Sequence, residues 1–231
     1  MRLDQLLARN VGCSRAVARQ MLRESGIDPL IEPEALPVEL RIDGRTITIY
    51  DAFHAVLNKP AHVVTALTDA QHATAYDLLR DAPLFDALRP VGRLDLDTTG
   101  LLLWTTDGKW LQRLTHPKRA VPRIYQAALA RPFGLPPPDF ELDDGYRPAI
   151  VNLATIESEH QLHPSLLRPA DAAAYATIAV AGGAYHEVRR IFAALGSHVL
   201  ALCRVGFGRL ELPRDLPVGR YRQIQPDDVC P

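Results

Sequence analysis

The chain has few cysteines, few lysines and no long apolar run, and each shortage removes a class of protein. Cys13, Cys203 and Cys230 are odd in number and far apart. They form no C-x-x-C pair, so neither a disulfide framework nor a zinc site follows, and a reducing cytoplasm is the expected compartment. No stretch approaches the roughly 18 apolar residues of a membrane span. The first residues, Met1-Arg2-Leu3-Asp4, put charge where a secretory signal needs an apolar segment. A Gly-rich phosphate loop and a metal constellation are also missing, so no cofactor and no metal are expected. Of the 26 basic residues only Lys59, Lys109 and Lys118 are lysines. Arginine forks onto phosphates and stacks on bases, although a GC-rich genome produces the same bias. The formal net charge of −1 argues against a uniformly basic nucleic-acid binder. Any RNA-facing surface must therefore come from segregated charge.

What is present is enough apolar material for a sizeable core: 231 residues, 47% of them hydrophobic. That length fits one or two domains. Residues 1–27 read as a small helical unit, with Leu3, Leu6 and Leu7 at helical spacing and Ser14 as the N-cap of a second helix. On that second helix Val17, Met21 and Leu22 make one face, while Arg15, Arg19 and Arg23 recur every four residues on another. With Arg2 and Arg9, these arginines face only Asp4 and Glu24, a candidate phosphate-contacting stripe that equally suits a solvated helix face. Residues 28–45 are acidic and broken by Pro29, Pro33 and Pro37, a linker running into a hairpin that turns at Asp43-Gly44. A boundary near residue 50 is expected.

Beyond it, strands are expected at 53–57, 101–106, 124–130, 150–157, 174–181, 199–205 and 208–212, and helices at 74–80, 108–115 and 185–195. The last is the clearest, with Val188, Ile191, Phe192 and Leu195 on one face and Gly196 as terminator. Strands outnumber helices without alternating with them, so an α+β domain with a mostly antiparallel mixed sheet is expected.

The most informative segment is Gly92-Arg93-Leu94-Asp95-Leu96-Asp97-Thr98-Thr99-Gly100-Leu101. Two carboxylates, two hydroxyls and an arginine lie between two glycines at the start of an apolar strand, a loop built to present side chains or a capped turn. Asp95, Asp97 and His186 could also serve a metal-assisted hydrolase. The segment resembles the G-R-L-D-x-x-T-x-G-L signature of the ribosomal branch of the pseudouridine synthases. Further segments resemble that family in the same order. Asn58-Lys59-Pro60 is similar to N-K-P, Arg123-Ile124-Tyr125 to K-x-Y, and Gly183 to Phe192 to G-x-x-H-Q-V-K/R-R-M-F. Residues 1–50 resemble an S4 RNA-binding domain, leaving 51–231 as the catalytic domain.

Taken singly, Tyr125 suits a packed strand, Arg189 and Arg190 a wet helix face, and His186 a structural position. The resemblance gives them roles. It implies that Asp95 is the catalytic carboxylate, that Tyr125 packs on the target uracil and that Arg189 pairs with Asp95. It implies substrate contacts from Arg93, Asn58, Lys59, Thr98, Arg123, His186 and Arg190, and RNA contacts from Arg2, Arg15, Arg19 and Arg23. The Asp97-Thr98-Thr99-Gly100 run most resembles the small-subunit branch, acting on 16S rRNA or a pre-ribosomal small-subunit particle as a monomer. The 23S branch and a non-catalytic S4-type assembly protein are the alternatives. Three departures stand out: Arg123 replaces the K-x-Y lysine, Glu187 replaces the glutamine after the histidine, and the second half of the S4-like unit is acidic and lacks its usual V-x-G turn.

Overall fold

A computed structural model describes residues 1–230 as two compact units. The first comprises residues 1–53 and 80–88. Its helices are α1 (Leu3–Val11) and α2 (Arg15–Glu24), and its strands β1 (Val38–Ile42) and β2 (Arg45–Ile49). Leu3, Leu6 and Leu7 are buried with Ala18, Leu22, Ile42 and Ile49, so the helical spacing of the leucines makes this core. Ser14 caps α2 by accepting a hydrogen bond from the Val17 amide. The hairpin turns at Asp43 and Gly44, with φ of 50° and 75°, the two-residue geometry that suits the twist of the flanking strands. The expectation of a single cut near residue 50 omits the segment 80–88, whose Ala82, Leu84 and Leu88 are buried.

The second unit, residues 54–79 and 89 onward, is a mixed nine-stranded sheet with helices. Its strands are β3 (His54–Lys59), β4 (Arg89–Pro90), β5 (Thr99–Thr105), β6 (Arg123–Leu129), β7 (Ile150–Thr155), β8 (Ala174–Val180), β9 (Val199–Phe207), β10 (Leu210–Glu211) and β11 (Tyr221–Gln223). They run in the order β11-β3-β5-β9-β6-β8-β7, with β4 on β5 and β10 on β9. Helices α3 (Gly108–Thr115) and α4 (Glu187–Ala194) accompany them. Every described pairing is antiparallel except β5 with β9. The expected helix at 74–80 shrinks to a single 3-10 turn, Asp77–Leu79. Residues 73–75 pair with Val64 in an isolated parallel bridge, which holds the start of this segment extended and leaves one turn closed by the Leu79 amide on the Tyr76 carbonyl. The strand expected at 208–212 shortens to two residues, because Gly208 turns with a φ of 60°.

The parallel β5–β9 junction positions the site. In a parallel pair the segments leading into both strands emerge at the same end of the sheet. Here those segments are the Gly92–Thr98 loop, which enters β5, and α4, which enters β9. One transverse row of the sheet then carries Lys59 on β3, Gly100 on β5, Arg204 on β9 and Tyr125 on β6. Gly100 sits in that row with a φ of 98°, and a Cβ there would overlap the Arg204 carbonyl oxygen. The glycine that ends the motif is therefore demanded by close strand approach as well as by backbone conformation.

Candidate active site

The row and the two incoming segments enclose a cleft of about 610 Å³, lined among others by Arg93, Asp95, Thr98, Tyr125, His186 and Arg189. Asp95 is held in place through the backbone of its loop. The Thr65 hydroxyl donates to the Leu94 carbonyl at 2.9 Å and accepts from the Leu94 amide at 3.1 Å. The His62 amide donates to the Leu96 carbonyl at 2.7 Å. Beneath the loop, Lys59 donates to the carbonyls of Pro60, Leu96 and Thr98. The loop thus has few degrees of freedom, and its carboxylate is presented on a rigid base.

Residues 94 positions apart converge there. Arg189 Nε lies 3.9 Å from one Asp95 oxygen and His186 Nε2 lies 3.6 Å from the other. The tighter partner of Arg189 is Asp97, at 2.8 Å, and its Nη1 also donates to the Val199 carbonyl at 3.2 Å. One guanidinium therefore ties α4 to the motif loop and to the start of β9. It stands against both carboxylates, and among the described residues no three His, Cys, Asp or Glu side chains are grouped to hold a metal.

Several expected contacts fall elsewhere. Asn58 and Lys59, expected at the substrate, are fully buried. The Asn58 amide donates to the Ser165 hydroxyl and the Leu216 carbonyl, and Lys59 serves the loop backbone. Burial pushes the Lys59 ammonium down to about 8 against the attraction of Asp97 and Asp95, while Arg204 adds to the lowering. Arg190 does not reach the cleft, because Asp144 and Asp143 hold its guanidinium at 2.6 and 3.1 Å. Arg123 lines the cleft, but its Nη1 donates to the Gly182 carbonyl. Thr98 lines the wall almost wholly buried, its hydroxyl unpartnered. Arg93 is exposed at the rim.

The arginine stripe is also partly occupied. Asp4 is buried, and Arg19, Arg15 and Arg2 converge on its Oδ2 at 2.6, 2.9 and 3.2 Å. Burial works to raise the Asp4 carboxyl, but the hydrogen bond from Arg19 and the charge of Arg2 outweigh it and hold the group below its ordinary value. Arg23 alone of the four expected RNA contacts is exposed and outside this cluster.

Two further side chains complete the site, one that sequence reasoning missed and one that it flagged without assigning a role. Arg204, 1% exposed, donates from Nε to the Leu101 carbonyl and lies against the Phe207 ring. The other is the Glu187 carboxyl, which accepts from Tyr146 Oη at 2.8 Å beside Arg123. Burial raises the Glu187 carboxyl, against the lowering pull of Tyr146 and Arg123. Burial, with help from Glu187, pushes the Tyr146 hydroxyl up to about 12. The signal for Glu187 was present, as a carboxylate where the resembled motif has an amide; Arg204 carried none, lying in an apolar strand.

The cleft thus holds one carboxylate on a braced loop, a cation against it and a tyrosine on a nearby strand. Residues 54–194 match the family model described as RNA pseudouridylate synthase. The chain belongs to this family. It is 32% identical to the ribosomal small subunit pseudouridine synthase A of Pasteurella multocida, across 100% of this chain and 98% of that protein. The Haemophilus influenzae protein of the same name is 31% identical over 99% and 98%. A solved pseudouridylate synthase shares 29% identity and a TM-score of 0.60, covering 99% of this chain and 97% of that one. The enzyme's matched region begins with β3 and ends with α4, so it contains the loop, Tyr125 and Arg189. No described helix is long and apolar enough to cross a membrane.

Proposed function

We propose that the enzyme isomerises one uridine of small-subunit ribosomal RNA, 16S rRNA, to pseudouridine, with Asp95 as the catalytic carboxylate. The observation that carries this reading is the meeting of Asp95, Arg189 and Tyr125 in one cleft, inside a chain similar along its whole length to small-subunit synthases. The reaction breaks the N1–C1′ bond, turns the uracil and rejoins it through C5, so nothing enters or leaves. It needs an ionised carboxylate beside the ribose, to attack C1′ or to take the C2′ proton. Arg189 offsets that charge, and His186 borders the other carboxylate oxygen. The uridine must leave its stack to be reached; Tyr125 on the cleft wall then packs on the uracil, and Arg93 at the rim enters the gap. Residues 1–50 act as an S4-like docking module, and the enzyme works as a cytoplasmic monomer on rRNA or a small-subunit particle.

The test is chemical mapping. Small-subunit RNA from a strain lacking this gene is treated with a pseudouridine-specific carbodiimide and scanned for reverse-transcription stops. One stop should be missing and should return with the wild-type gene but not with Asp95→Asn. A lost stop in large-subunit RNA instead would move the target to the 23S branch. An unchanged stop pattern in both subunits would overturn the proposal.

A further inference from the structure

Tyr185 stands on the rim of the cleft with 79% of its surface exposed. Its ring is ordered all the same. It stacks on the His186 imidazole with centroids 3.8 Å apart and planes 18° from parallel. His186 takes a left-handed backbone conformation, φ 49°, immediately before α4. For a residue other than glycine that conformation is uncommon, and it persists only where the surroundings impose it. Here it lays the imidazole between Tyr185 and Asp95, with Nε2 3.6 Å from the carboxylate. One face of the tyrosine is thus covered and the other is open.

We propose that the open face of Tyr185 is a stacking platform for the nucleobase next to the target uridine. The inference rests on reading the cleft as the site of RNA modification. When a uridine swings out of a strand, its neighbour loses a stacking partner. A pre-stacked ring on the lip of the pocket replaces that partner and adds no new ordering cost, because His186 already holds it in place. Stacking on an aromatic ring serves any base, so it assists flipping without fixing the flanking sequence. Of the other exposed apolar side chains, Leu135 and Val151 do not line the cleft, and Leu96, which does, is 36% exposed and offers no ring to stack on. Arg93, exposed on the same lining, supplies a cation for the strand's phosphates, which favours RNA over a protein as the occupant.

The experiment uses the full chain and a protein-free RNA hairpin carrying the target uridine, with 2-aminopurine substituted on either side of it. Wild-type binding should quench the probe at one of the two positions. Tyr185→Ala should abolish that quenching and raise KM on the order of 10-fold, with kcat reduced no more than about twofold. Tyr185→Trp should restore both readouts. Unchanged quenching and KM in Tyr185→Ala would overturn the platform. A fall in kcat without a rise in KM would assign the ring to packing on His186 alone, and also overturns it. A defect seen only on particles containing ribosomal proteins would make the surface a protein contact. If the wild-type chain forms no pseudouridine in the hairpin or in small-subunit particles, the underlying reading fails and the platform with it.

Discussion

At the scale of single residues, the two carboxylates of the motif loop divide their work by what they touch. Asp97 takes the short contact to Arg189, 2.8 Å, and does not line the cleft, while Asp95 lies 3.9 Å from Nε and lines it. Asp97 is thus an anchor and Asp95 a presented group. Asp95→Asn should lower kcat by at least about 10³-fold in a single-turnover tritium-release assay, since the substitution removes the carboxylate charge that the proposed chemistry needs. Asp97→Asn should cost about 10-fold, because Arg189 keeps its bond to the Val199 carbonyl. The opposite ranking would show that Asp97 is the reacting group. The same geometry explains why Asn58 and Lys59 were misassigned from sequence. A run such as Asn-Lys-Pro looks polar and available on paper, yet its strand is buried on both faces, and its polar atoms serve neighbouring backbone.

At the scale of elements, the closest constraint is the approach of β5 and β9 at Gly100. Any side chain there must displace the Arg204 backbone or abandon the left-handed conformation. Gly100→Ala should therefore destabilise the fold by about 3 kcal/mol in urea unfolding, the range of overpacking with backbone strain. A loss near zero would mean that the strands separate freely. In the first unit, the buried Asp4 changes how the arginine stripe is to be tested. Arg19→Glu would set a second carboxylate against Asp4, so its first effect is loss of stability. Arg23→Glu, outside that cluster, should leave the melting temperature within about 2 °C and weaken RNA binding, flattening the slope of log affinity against log salt by about one. Unchanged affinity and slope would make Arg23 an ordinary solvated residue. Helical periodicity found α2, α3 and α4, whose hydrogen bonds are local, with α3 expected and observed at 108–115. It failed at 74–80 because residues 73–75 pair with Val64 as extended chain, a partner outside the window that the periodicity reads.

For the whole molecule, the pH response follows from two buried histidines in the second unit. Burial lowers both His54 and His163 below the ordinary value of about 6.5. His54 Nδ1 faces the Thr105 hydroxyl at 2.8 Å, and His163 accepts from the Ser165 amide. A histidine kept neutral in the fold binds its proton more readily when unfolded. Its contribution is present above about pH 6.5 and is lost as pH falls toward the depressed values. The urea midpoint should therefore drop between pH 7 and pH 5, and His54→Gln should flatten that fall. An equally steep fall in the variant would place the proton uptake elsewhere. Loop composition, the order of the motifs and the helical spacings were legible, because each depends on residues close together in the chain. The family, the carboxylate loop and the outline of an α+β sheet followed from them. Only the tertiary structure decided which polar residues reach the cleft. Burial took Asn58 and Lys59, and acidic partners took Arg190. In the first unit Asp4 took Arg2, Arg15 and Arg19. The parallel β5–β9 junction is the physical means by which Arg189 meets Asp95 as the resemblance implied. Exposure and pairing are set by segments distant in sequence, and no local pattern encodes them.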